Sequence, residues 1–113
     1  MSIVMVCGSR SIKELTEPIA HVFSSEINWD DTVIHGGAKG VDTLAQQWCE
    51  INNIITKIVR PVNEKDKLSY LFRNAEMIGM CDKVIIVWDE ISKGTKFVKD
   101  YASARKKKTI LVF

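Results

Sequence analysis

Residues that staple or punctuate a chain are scarce here. The three cysteines, Cys7, Cys49 and Cys81, are odd in number, far apart and set among apolar neighbours. That excludes a disulfide framework and fits reduced core residues of an intracellular protein. There are two histidines, and no Cys or His pair stands at ligand spacing, so no metal centre is expected. With only two prolines and no Pro/Ser-rich or low-complexity stretch, nothing marks a linker, and residues 1–113 are expected to form a single domain. The first apolar run, Ile3 to Cys7, is too short for a signal peptide or a membrane span and lacks a basic leader. Cytoplasmic residence without membrane contact is the expectation. A net charge of +2 tolerates anionic ligands but does not by itself argue for nucleic acid.

A hydrophobic content of 46% is enough for a real core, and its arrangement carries the fold. Ile3–Cys7, Thr32–His35, Ile54–Val59, Val84–Trp88 and Thr109–Phe113 read as strands. The strongest is the uninterrupted Val84-Ile85-Ile86-Val87-Trp88. Helical spacing lies between them. Ile19, Ala20, Val22, Phe23 and Ile27 follow Thr16 and Pro18, while Val41, Leu44, Ala45 and Trp48 follow a glycine loop. Leu68, Leu71, Phe72, Ala75 and Ile78 form the expected apolar face of a third helix, and Phe97, Val98, Tyr101 and Ala102 that of a fourth starting near Thr95. Alternating strands and helices predict an α/β, Rossmann-like, doubly wound parallel sheet of order 3-2-1-4-5, with helices on both faces.

That order brings three loops to the carboxyl edge of the strands, where ligands bind in such sheets. The first is Gly8-Ser9-Arg10, the second Gly36-Gly37-Ala38-Lys39-Gly40-Val41-Asp42, and the third runs from Asp89 to Thr95. A strand that breaks into glycines and re-enters a helix offers backbone N–H groups and a helix dipole to an anion, phosphate above all. Arg10, leaving a central strand, suits ligand contact, and Lys39 is either a phosphate partner or a solvated charge. Asp42 either stabilises the helix start or meets a ligand hydroxyl. Thr95 can cap a helix and touch phosphate or ribose. His35 is the one histidine near the glycines that could act as a general base, against the reading of a half-buried strand end. Trp88 stands at a strand end as core or as a stacking platform, and Arg105 to Lys108 reads as a solvated turn.

Taken in order, Gly8-Ser9-Arg10, Gly36 to Asp42, Arg73-Asn74 and Ser92-Lys93-Gly94-Thr95 make the chain similar to the SLOG superfamily, the Smf/DprA and LOG Rossmann-like domains. Its small, single-domain YspA-like branch is the nearest in pattern, and the similarity covers nearly the whole chain. The resemblance implies a domain that binds a nucleotide or nucleotide derivative, requires no cofactor and assembles into homo-oligomers. It adds Arg73 and Asn74 to the candidate site of Gly8, Ser9, Arg10, Gly36, Gly37, Ala38, Lys39, Gly40, Asp42, Asp89, Gly94 and Thr95. Relatives of the superfamily include single-strand DNA binders and phosphoribohydrolases. This chain departs from the enzymatic pattern: Val41-Asp42 follows Gly40 where LOG-like hydrolases have Thr-x-x-Glu, and Val98 stands where deoxyribosyltransferase-like relatives have Glu. The leading expectation is a sensor, carrier or sequestering module. A nucleotide hydrolase using Asp42, Asp89 or His35 is the alternative, and a single-stranded nucleic-acid binder using Lys106 to Lys108 is the third reading.

Overall fold

A computed structural model describes residues 1–113. Its elements are β1 (Ile3–Gly8), α1 (Glu17–Glu26), β2 (Thr32–His35), α2 (Val41–Ile51), β3 (Ile55–Ile58), α3 (Lys67–Met80), β4 (Lys83–Val87), α4 (Lys93–Ala104) and β5 (Lys108–Val112). The strands form one parallel sheet of order β3-β2-β1-β4-β5, the order expected from the sequence.

Side-chain alternation divides the sheet between two cores. Val4, Val6, Val33, Ile85 and Val87 point to the face covered by α1 and α2, where they meet Ile19, Phe23, Val41, Ala45 and Cys49. Met5, Ile34, Val84 and Ile86 point the other way, to Met77, Ile78, Val98 and Ala102 of α3 and α4. Burial on both faces is why β1 and β4 read as unbroken apolar runs. Right-handed crossovers explain the division: winding outward from β1 to β3 lays two helices on one face, and the return to β4 lays two on the other. The winding reverses between β1 and β4, so their exit loops part to opposite faces and leave a crevice.

β3 lies at the edge, as the expected order has it, with Ile55 and Ile58 exposed because it has a neighbour on one side only. One expectation about burial is corrected. On α3, Ile78 is buried as expected, but Leu68 and Phe72 are exposed, and the helix buries Ser69, Arg73 and Met77 in their place. The first half of α3 lies over strand-end loops rather than over apolar strands. Its inward face is therefore polar: Ser69 Oγ accepts from the Asn63 N–H, and Arg73 reaches the carbonyl of Gly36. Only from Met77 onward does the helix meet the sheet core.

Candidate ligand-binding cleft

The crevice at the carboxyl ends of β1 and β4 holds a cavity of about 380 Å³, within the roughly 300–1,000 Å³ of small-molecule sites. Cys7, Met77 and Val98 give it an apolar floor. Gly8, Arg10, Ala38, Asp42, Arg73, Asn74, Asp89, Gly94 and Thr95 line it among the residues expected from the sequence. Ser9, Gly36, Gly37, Lys39 and Gly40 lie outside the lining, as does His35.

The glycine loop serves the protein first. Asp42 Oδ2 accepts from the N–H groups of both Gly36 and Ala38 at 3.1 Å, and His35 Nδ1 accepts from the Gly37 N–H at 3.0 Å. Three amides expected to cradle phosphate are thus taken by internal acceptors. The anion held at this turn is the carboxylate of Asp42. Internal geometry also accounts for the glycines. A Cβ on Gly36 would lie 2.4 Å from Arg73 Nη1, so a bare backbone lets the guanidinium in. Gly40 has φ +84, and a Cβ there would strike the backbone of Ser9 and Arg10.

His35 is buried, with Nε2 at 2.7 Å from Gln46 Oε1 and Nδ1 occupied by the Gly37 N–H. Those partners assign the neutral Nε2–H tautomer and leave no nitrogen for substrate, so the general-base reading of His35 has no geometric support. Asp89 is likewise engaged. One oxygen accepts from the Ile91 and Ser92 N–H groups, the other from the hydroxyls of Ser11 and Ser92. These bonds hold its carboxyl well below the usual range. The Asp89 N–H donates to the buried Ser9 Oγ, tying the loops after β1 and β4 together. Asp89 therefore organises the rim. The thiol of Cys7, on the floor, is pushed far up by burial first and then by the charge of Asp42, which disfavours the reactive thiolate.

Asp42, Arg73 and Thr95 behave differently. They are only 6%, 8% and 6% exposed, yet each keeps a polar atom without a protein partner. Arg73 uses Nη1 on the carbonyls of Gly36 and Val59 and Nε on Asn74 Oδ1, which leaves Nη2 free. Asp42 Oδ1 and Thr95 Oγ1 are free in the same way. No buried polar side-chain atom in the chain is sealed from solvent without a partner, so these three atoms open to the cavity their residues line. Asp42 and Arg73 stand close enough to bias each other's ionisation without closing into an ion pair. Burial raises the Asp42 carboxyl above its ordinary value, against the pull of its amide partners and Arg73. Thr95 lies inside the first turn of α4, and Ser92 occupies the capping position expected of it.

A residue the sequence reading missed completes the wall. Tyr70 lines the cavity, with the Arg73 guanidinium 5.4 Å over its ring. Its signal was the spacing 70, 73, 74, 77, one face of α3. Trp88 does not line the cavity; its Nε1–H donates to the Ser92 carbonyl and its ring packs near Phe113.

The two carboxylates are expected to titrate on opposite sides of the ordinary aspartate value, Asp89 below it and Asp42 above. Side-chain carboxyl-carbon NMR across a pH series checks this. Stability follows with opposite signs. The contribution of Asp89 is complete above the ordinary value and is lost as pH falls through its own. Asp42 is penalised as pH rises through its own value. Coincident titration of the two would contradict the hydrogen-bonding described.

No protein-family model matches the chain, and no curated protein matches it in sequence. Two solved structures are similar. DNA processing protein A (DprA) from Streptococcus pneumoniae is 20% identical with a TM-score of 0.76, over 96% of this chain and 49% of that one. TM1055, a structural-genomics target, is 17% identical with a TM-score of 0.69, over 96% of this chain and 72% of that one. This chain thus spans about half the length of the DprA chain. What it has in common with both is the fold: a five-stranded parallel Rossmann-like α/β domain of order 3-2-1-4-5.

Proposed function

We propose that the strand-end cleft binds a phosphorylated nucleoside. One observation carries the reading: three nearly buried side chains, a cation, an anion and a hydroxyl, each direct one unpartnered atom into a single cavity. Polar atoms that nearly buried side chains leave to water in a cavity are placed to exchange that water for a ligand's donors and acceptors. Arg73 Nη2, with Arg10 at the rim, suits phosphate oxygen. Asp42 Oδ1 suits the O–H donors of a sugar, and Tyr70 offers an aromatic face to a base. The SLOG-type motifs in the sequence and the fold in common with DprA support the same direction. The phosphate donors proposed are side chains rather than the amides of the glycine loop.

A hydrolase acting on the nucleotide's glycosidic or phosphate bond is the second reading. Asp42 favours it, since burial raises its carboxyl above the ordinary aspartate value, the direction a proton-holding group at such a site needs. Calorimetric titration with nucleosides and their monophosphates tests the first reading, and chromatography of the same mixtures tests the second. Binding of a nucleoside monophosphate at least tenfold tighter than its nucleoside is expected. No binding of any phosphorylated nucleoside by the folded protein would contradict the proposal. Product formation abolished in Asp42→Asn would establish the hydrolase.

A further inference from the structure

The cleft does not end at the inner cavity. Arg10, Tyr70, Asn74 and Gly94 are common to it and to a second, outer cavity of about 750 Å³, which Lys65, Lys67 and Lys93 also line. Four cations from three separate segments thus face one space: the loop after β1, the approach to α3, and the start of α4. Glu64 is the single carboxylate among the lining residues, and neighbouring Asp66 is occupied in capping α3 through the Leu68 N–H. Elsewhere Lys83 and Lys108 meet Glu26, and Lys96 and Lys99 meet Asp100, while Lys13, Lys39, Lys57, Lys106 and Lys107 stand scattered without an ionic partner. None of the four cations around the outer cavity has an ionic partner in the protein. Converging like charges repel one another unless an anion lies between them.

Resting on the reading of the inner cavity as a phosphorylated-nucleoside site, we infer that the ligand carries more than one phosphate. The nucleoside and first phosphate occupy the inner cavity, and the second and third phosphates extend past Arg10 into the outer one. The ligand class is a nucleoside di- or triphosphate. A single nucleic-acid strand is the rival occupant of such an open basic depression, and the oligonucleotide arm of the experiment below separates the two.

Calorimetry with the mono-, di- and triphosphates of adenosine, guanosine, cytidine and uridine, at one fixed ionic strength, tests this. Affinity is expected to rise about tenfold with each added phosphate for the preferred nucleoside. A variant combining Lys65→Gln, Lys67→Gln and Lys93→Gln is expected to bind the triphosphate no better than the monophosphate, with monophosphate affinity unchanged. Equal affinity along the phosphate series would overturn the inference while leaving the inner site intact. Equal weakening of all three nucleotides by the lysine variant would do the same. Oligothymidylate binding tighter than any triphosphate, and lost with the lysines, would replace it with nucleic-acid binding. Failure of every monophosphate and triphosphate to bind would remove the inner-site reading itself.

Discussion

Gly40→Ala is expected to lower the unfolding free energy by about 3–4 kcal/mol, combining left-handed backbone strain with overpacking. Gly40 has φ +84, and a Cβ there would lie 2.5 Å from the Ser9 carbonyl oxygen and 2.7 Å from Arg10 Cα. Both obstacles are backbone, so no side-chain rotation relieves them. The start of α2 would have to retreat from the loop after β1, widening the cleft between Arg10 and Asp42. Gly79→Ala is the matched control. It lies inside α3 with nothing within 4 Å of an added Cβ, so alanine should stabilise by up to about 1 kcal/mol. Urea denaturation of both variants checks the pair. A Gly40→Ala protein as stable as the parent would mean that the two loops are not packed as described.

Asp42 gives the second large effect, because its two oxygens have different tasks. Asp42→Ala removes the acceptor of the Gly36 and Ala38 amides and is expected to destabilise the fold by about 2–4 kcal/mol, the cost of two donors left without a partner. Asp42→Asn should preserve the fold. Its carbonyl oxygen can accept from both amides, which turns its NH₂ group toward the cavity where Oδ1 had been. An acceptor becomes a donor at the same place. Nucleotide affinity is then expected to fall at least tenfold while the protein stays folded. Because burial raises the Asp42 carboxyl, the stability of Asp42→Asn relative to the parent should grow as pH rises from the ordinary aspartate range through the raised value. Denaturation of both variants across pH, with calorimetry alongside, separates the two tasks. Unchanged nucleotide affinity in a folded Asp42→Asn protein would remove Oδ1 from the site.

The contrast between Asp42 and Asp89 explains how far the sequence could be read. Strand order was legible because Val84 to Val87 and Ile3 to Cys7 are apolar on both faces, a pattern that central parallel strands produce. The location of the cleft followed from that order. The division of labour within it did not, since both aspartates flank strand-end loops in the sequence. Only folded geometry gives Asp89 four donors and leaves Asp42 an open oxygen. Spacing alone also misled on α3. Leu68 and Phe72 form an apolar stripe, but the helix turns its opposite face inward because Arg73 finds carbonyl acceptors on Gly36 and Val59. The resemblance to SLOG proteins, rather than periodicity, brought Arg73 into consideration. Glycine count misled as well. Gly36, Gly37 and Gly40 answer to close contacts and backbone torsion, demands that a list of residues does not distinguish from phosphate approach.

Amide NMR during titration with the tightest-binding nucleotide is the most direct test of where a ligand sits. Chemical-shift changes should concentrate in Cys7 to Ser11, Ala38, Tyr70 to Asn74 and Ser92 to Thr95, which line or border the cleft. Resonances of Asn28 to Asp31 and Lys106 to Lys108, at the opposite edge of the sheet, should stay still. Changes centred on that opposite edge or on β3, or none with any nucleotide, would contradict a ligand site at the reversal between β1 and β4.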